Sequence, residues 1–160
     1  MSRHADEIRD HLVRALDWED AHVGFAKAVD GVPVDKRGAR ADGFEHSLWQ
    51  LVEHIRIAQE DILDFCINAH YEHNKTWPDD YWPREPAPPS DQAWHDSIAA
   101  CTRSLDAMKQ LARDVDNLTA TVPTGKARHT YLRAILLVID HNAYHVGQVI
   151  DVRRALGIWR

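Results

Sequence analysis

The feature that most constrains the fold is one long proline-free segment near the C-terminus, which contains a continuous apolar run. The run AILLVI occupies residues 134–139, inside a segment with helical spacing that extends over about residues 129–156. A helix that is apolar on nearly all sides is covered by the rest of the protein. The sequence therefore predicts a central helix with other elements packed around it.

Three further segments carry apolar residues at the spacing of a helix face. The second of them has a clear start signal, because Ser47 is followed three residues later by Gln50, as in a capping box. No strand-like alternation and no internal repeat compete with this interpretation. A chain of 160 residues is the size of one domain. We therefore expect residues 1–160 to form a single all-α domain, a four-helix bundle, whose first three helices span residues 4–28, residues 47 to about 70, and Ser90 to about 111.

Composition and charge exclude several classes of protein. Hydrophobic residues make up 44% and charged residues 28%, which is ordinary for a globular chain. The net charge of −6 argues against a nucleic-acid partner. No segment has the roughly 20 apolar residues of a membrane span, and the N-terminus has no signal-peptide core. We expect a cytoplasmic protein without a membrane partner, in which Cys66 and Cys101 are small buried side chains.

Two histidines of the last helix have the spacing of a metal half-site. His141 and His145 lie four residues apart, so both rings point from the same helix face. Such a pair occurs in zinc sites, but eleven histidines in one chain also produce it by chance. The apolar run just before the pair implies burial, and a buried imidazole without a partner costs free energy. The pair therefore predicts a metal site that another helix completes.

His54 is the best candidate for the third ligand, because it borders the apolar stripe of the second helix. It could equally be a boundary histidine bonded to a backbone or side-chain partner, and spacing leaves both interpretations open. Asp61 lies two turns further along the same strip and is a candidate general base. His46 is eight residues from His54, roughly 12 Å at the helical rise per residue, which is too far to share a metal.

The connector of residues 71–90 is long and holds five of the seven prolines. Connectors of this length are uncommon unless they are functional or disordered. Its aromatic residues Trp77, Tyr81 and Trp82 predict a segment that folds back onto the bundle. They either plug one end of the bundle or, as Trp82 would, line a cavity and contact a substrate. His129 is a candidate for the mouth of such a cavity.

The segments HSLWQLVEHIRIAQEDIL and LLVIDHNAYHVGQVIDVRRALG resemble the DinB/YfiT-like superfamily of metalloenzymes, and the similarity covers nearly the whole chain. The resemblance implies a four-helix bundle, a homodimer and a divalent metal held by His54, His141 and His145. Some relatives are S-transferases that use a low-molecular-weight thiol cosubstrate, and others are metal-dependent hydrolases. The resemblance therefore implies an enzyme acting on a small-molecule substrate, with S-transfer as the first hypothesis and hydrolysis as the alternative.

The chemistry of three histidines fits an enzyme, because it leaves a tetrahedral metal with one open position. Zinc or nickel suits such ligands. The open position can activate water for hydrolysis or a thiol for S-transfer. We expect Asp140, about 100° round the helix from His141, and Gln148, one turn beyond His145, to orient the ligands from behind. A ligand-binding protein without turnover and a purely structural metal site remain as alternatives.

Overall fold

A computed structural model describes residues 3–17 and 21–159 of the chain. All regular elements in these ranges are helical, and they contain no β-strand, so the predicted all-α bundle is confirmed. A single isolated bridge between Thr121 and Thr130 closes the turn before the last helix. The five α-helices are α1 (Arg3–Ala15), α2 (Phe25–Val29), α3 (Leu48–Ile67), α4 (Asp91–Asp114) and α5 (Tyr131–Ala155).

The three long helices each begin at a hydroxyl side chain that caps a free backbone amide. The capping box predicted for α3 is confirmed, because Ser47 accepts from the amide of Gln50 and the Gln50 side chain accepts from the amide of Ser47. Ser90 caps α4 and Thr130 caps α5 in the same way. These caps satisfy amides that the helices themselves leave unpaired, and they fix where each helix starts.

The predicted first helix over residues 4–28 is wrong, because the chain forms two helices there. α1 ends at Ala15, and α2 begins only after Gly24, whose backbone is extended. The two pieces pack on different parts of the core: Leu16 lies against the second half of α4, whereas Phe25 lies in the cluster around the start of α3. A continuous helix could not bury both sets of side chains, and glycine favours the break.

α3 packs against both α4 and α5, α1 packs against α4, and α2 packs against the C-terminal half of α5. The apolar run of α5 is buried on one side only: Ile135 and Val138 lie in the core, whereas Leu136 is 49% and Leu137 39% exposed. The expectation of a helix covered on nearly all sides was therefore too strong.

The long connector folds back onto the start of α3, as predicted. The hydroxyl of Ser47 donates to the carbonyl of Pro86 at 2.5 Å, and the Gln50 side chain donates to the carbonyl of Pro83 at 3.1 Å. Tyr81 is buried, whereas Trp77 remains 66% exposed. The same two residues that cap α3 thus fasten the connector over its first turns, next to His54.

Cys66 and Cys101 are both buried and unpaired, as expected. Within the two described ranges, no helix is long and apolar enough to cross a membrane.

Candidate metal centre

Three histidine rings from two helices converge inside the bundle. His54 Nε2 lies 3.0 Å from His145 Nε2 and 3.0 Å from His141 Nε2. One nitrogen of each ring lies within 4.8 Å of the corresponding atoms of the other two. His54 is 1% and His145 7% exposed, and His141 is partly buried. The structure therefore brings together the three residues that the family resemblance grouped.

The backbone geometry that aims these rings follows from the helices. His141 and His145 are one turn apart on α5, and His54 faces them from the middle of α3. Next to the rings, Asn142 donates to the side-chain carbonyl of Gln59 at 2.6 Å. Gln59 in turn donates to Ser104 Oγ at 2.6 Å and to the carbonyl of Cys101 at 2.7 Å. These side-chain hydrogen bonds join α3, α4 and α5 and fix the register of the two helices that carry the clustered histidines.

The hydrogen bonds on the outer side of two rings determine which nitrogen carries the proton. His54 Nδ1 lies 2.9 Å from the backbone carbonyl of Tyr81, and His145 Nδ1 lies 2.6 Å from Gln148 Oε1. Both oxygens accept only, so Nδ1 is the donor in each ring, and each neutral Nε2 carries a lone pair. The lone pairs of His54 and His145 are thus directed at one another across 3.0 Å.

His141 is held less firmly than the other two rings. Its Nδ1 atom is buried and meets no hydrogen-bond partner of good geometry in the described part of the chain, although the adjacent Asn142 side chain is near enough to raise the pKa of His141. If His141 carries its proton on Nε2, it donates to His54 Nε2. The contact between His54 and His145 still pairs two acceptors.

The three rings are neutral at pH 7. Burial lowers the pKa of His54 to about 4 and that of His145 to about 4. Burial also lowers the pKa of His141. Neutral imidazoles are the form that binds a metal ion, so no proton has to be displaced near neutral pH.

Trp82 forms the wall behind His54. Its indole stacks on the His54 ring at 3.8 Å between centroids and with 2° between planes, and on His46 at 3.8 Å with 13° between planes. Trp82 lines the cavity that also contains His54 and His145, and its contact with a substrate stays a prediction. His46 does not belong to the group of three histidines, but sequence reasoning missed that it lies in this stack.

Two cavities adjoin the three rings and share Trp77. The first, of about 480 Å³, is lined by His54 and His145 and has polar groups from His46 and Gln148; we call it the His145 cavity. The second, of about 460 Å³, is lined by His141 with mainly aromatic and aliphatic side chains; we call it the His141 cavity. His129, expected near a cavity mouth, lines the His141 cavity, as does Asp61.

The carboxylate of Asp61 is surrounded by donors. It accepts from the hydroxyl of Tyr81 at 2.6 Å, from Lys75 Nζ at 2.9 Å and from the hydroxyl of Tyr71 at 3.2 Å. Because the Tyr81 carbonyl also binds His54, Asp61 anchors the residue that orients one of the three rings. Its role as a general base stays a prediction.

The two residues expected to orient the ligands differ in placement. Gln148 accepts from His145 Nδ1, so it makes the kind of contact that was expected. Asp140 is exposed and makes no hydrogen bond to His141. Adjacent residues of a helix point in different directions, and the Asp140 side chain therefore faces solvent. Its orienting role stays a prediction that no contact supports.

Gln59 and Asn142 were not anticipated, although the sequence carries a signal for them. Gln59 interrupts the apolar stripe between Ile55 and Ile62, and Asn142 interrupts the one between Val138 and Val146. A polar residue at a core position needs a buried partner, and two such interruptions on facing helices can supply each other.

The sequence matches the DinB superfamily over residues 17–149. No curated protein matches it significantly. The chain therefore belongs to the DinB superfamily, and its three-histidine cluster is compatible with a metal-binding protein.

Proposed function

We propose that the protein is a divalent-metal-dependent transferase, with His54, His141 and His145 as the metal ligands and a small thiol as cosubstrate. The observation that carries the proposal is the opposed lone pairs of His54 and His145 at 3.0 Å. Two buried acceptors at this distance repel each other unless a cation lies between them.

The spacing of the three nitrogens fits a metal better than a proton. Ligands about 2.0–2.1 Å from a tetrahedral ion lie about 3.3 Å from one another, close to the 3.0 Å that separates His54 Nε2 from each of its two neighbours. The low pKa of His54 and His145 disfavours a shared proton at neutral pH. Three imidazoles suit zinc or nickel.

The chemistry of the donor set favours catalysis over a structural metal. Three protein ligands leave a tetrahedral ion one open position, whereas structural sites are closed by four. A bound ion would supply Lewis-acid activation of a thiol or of water at that position. Around it, Gln148 and the Tyr81 carbonyl hold His145 and His54 in the tautomer that presents Nε2.

The two cavities favour transfer over hydrolysis. Hydrolysis needs room for one substrate and water, whereas a transferase must hold two reactants next to the same centre, and both cavities are lined by the clustered histidines. The His145 cavity carries Glu45, His46 and Gln148, whose polar groups suit a polar thiol. The His141 cavity is more apolar and suits the second substrate. The proposal also includes a homodimer and a cytoplasmic location.

Cobalt titration of the metal-free protein tests the metal site. We expect one equivalent of Co²⁺ to give the absorption bands of a tetrahedral site and to quench the fluorescence of Trp82, which stacks on His54. The loaded protein is then assayed with an electrophile and a panel of low-molecular-weight thiols. Thiol consumption that requires both the metal and the protein supports transfer. Metal binding without turnover of any thiol would remove the transferase proposal and leave hydrolysis or binding.

A further inference from the structure

The His141 cavity has walls suited to an apolar molecule with an aromatic or branched body. Phe65, Tyr71, Trp77 and Leu137 supply apolar surface, and the cavity of about 460 Å³ is within the range of small-molecule sites. The carboxylate of Asp61 is also in this cavity, but Lys75, Tyr71 and Tyr81 already donate to it. Its charge is therefore offset within the protein.

The end of the cavity away from the three rings is positively charged. The guanidinium of Arg133 is exposed there, and no acidic or carbonyl group in residues 3–17 or 21–159 bonds to it. His129 lines the same end, and its Nδ1 accepts from the amide of Lys126 at 3.2 Å. In the neutral ring Nε2 then carries the proton and is a second donor. Arginine with a neighbouring N–H donor is a typical receptor for a carboxylate.

The positions of the two ends on α5 set the length of the ligand. Arg133, Leu137 and His141 occupy successive turns of one helix face, because they are four residues apart. Eight residues separate Arg133 from His141, about 12 Å along the axis. A ligand that reaches both ends needs an anionic group, an apolar body over Leu137 and a reacting group at the far end.

We propose that the His141 cavity binds an elongated apolar monocarboxylate, of the arylalkyl type, with Arg133 and His129 holding the carboxylate. This inference rests on the proposed function for the reaction at the other end, but it concerns recognition by residues that are not metal ligands. It names the substrate class of the transferase as carboxylic acids with an apolar body.

The test uses 4-phenylbutanoate and its uncharged isostere 4-phenylbutanamide, titrated calorimetrically into the full chain. We expect the carboxylate to bind at least about tenfold more tightly than the amide, because a charge-assisted bond is lost in the amide. Arg133→Gln should abolish this preference, and Arg133→Lys should restore part of it. Arg154→Gln, on the same helix but outside the cavity, is the matched control and should leave the preference unchanged.

Two neighbouring leucines allow a matched test of the apolar wall of the His141 cavity. Leu137 lines the cavity, whereas Leu136 is exposed outside it. Leu137→Gln should weaken the binding of both probes, and Leu136→Gln should weaken neither. Circular dichroism checks that all variants fold.

Because a carboxylate can also bind a metal directly, each titration is done with metal-free and with zinc-loaded protein. The preference for the carboxylate should be present in both forms. Equal binding of the two probes, no binding of either, or a preference that requires zinc and is insensitive to Arg133→Gln would overturn the inference. Cobalt titration of each variant separates the two proposals: metal binding without carboxylate binding overturns only this inference, and the reverse result overturns only the metal site.

Discussion

Two polar clusters lie next to each other in the bundle, and they are built on opposite principles. In the amide cluster, formed by Gln59, Asn142, Ser104 and the carbonyl of Cys101, each side-chain N–H that bridges the helices meets an acceptor. In the histidine cluster, formed by His54, His141 and His145, the contact between His54 and His145 pairs two acceptors at 3.0 Å. The donors of the first cluster are all satisfied, although the buried Oδ1 of Asn142 has no partner. The geometry of the second cluster is compatible with metal binding.

The comparison separates a structural polar cluster from a functional one. Gln59 is 0% exposed, and its donors lock α3 to α4 while its carbonyl receives Asn142 from α5. Hydrogen bonds that satisfy buried donors across several helices stabilise one packing of those helices. The histidine cluster uses that fixed packing, and the contact between His54 and His145 adds no hydrogen bond of its own, which is compatible with a metal site.

The largest expected effect is the loss of the metal when one member of the histidine cluster is removed. His145→Ala should abolish stoichiometric binding of Co²⁺ or Zn²⁺, because two imidazoles cannot hold the ion at the same affinity. Saturating zinc should raise the melting temperature of the wild-type protein and leave that of the variant unchanged. Metal analysis and thermal unfolding measure both. His46→Ala, which removes a nearby ring stacked on Trp82, is the control and should retain one equivalent of metal; full metal content in His145→Ala would refute the ligand assignment.

The amide cluster should respond in stability instead. Gln59→Met leaves the buried Nδ2 of Asn142 without its acceptor, and we expect a loss of about 2 kcal/mol in the free energy of unfolding. Urea denaturation of metal-free protein measures it. The double variant Gln59→Met with Asn142→Leu should recover part of the loss, because it removes both polar partners. If Gln59→Met instead abolished metal binding in a folded protein, the separation of the two clusters would be wrong.

The sequence predicted much of the histidine cluster and none of the amide cluster, and the difference has a physical cause. The i, i+4 spacing of His141 and His145 follows from helix geometry alone, and the capping box at Ser47 is equally local. His54 needed a family resemblance, because nothing local reveals which residue of another helix faces the pair. The partner of Gln59 depends likewise on the register between helices.

The break between α1 and α2 shows the same limit for the fold. Ile8, Leu12, Leu16 and Val23 keep a helical period, so the local pattern favours one helix. The chain nevertheless turns, because Leu16 and Phe25 are buried in different parts of the core. Which part of the core a residue joins is a tertiary property that periodicity does not contain.

A smaller effect is expected from the residue that orients His145. Gln148→Leu removes the acceptor at 2.6 Å from Nδ1 and frees the ring to change tautomer or rotate. Loss of such an outer partner lowers metal affinity by about ten- to a hundredfold, and we expect the lower end because Gln148 is only half-buried. Competition with a chromophoric chelator measures the affinity. Gln148→Glu keeps an acceptor and should remain within about threefold of the wild-type affinity.

The smallest effect is expected at Asp140, the other residue that the sequence nominated for orienting a ligand. Its carboxylate is exposed and reaches no ring nitrogen, so it acts on His141 only through its charge, which raises the pKa of that ring against the larger effect of burial. A charge exposed to water interacts weakly with its neighbours, because the effective dielectric constant there is high. Asp140→Asn should therefore change metal affinity by less than about threefold, well below Gln148→Leu in the same chelator competition. A loss as large as that of Gln148→Leu would contradict this expectation. It would mean that Asp140 turns inward when the ion binds and accepts a hydrogen bond from His141 Nδ1, which has no such acceptor in the described part of the chain. Metal binding would then itself bring the last orienting residue into place.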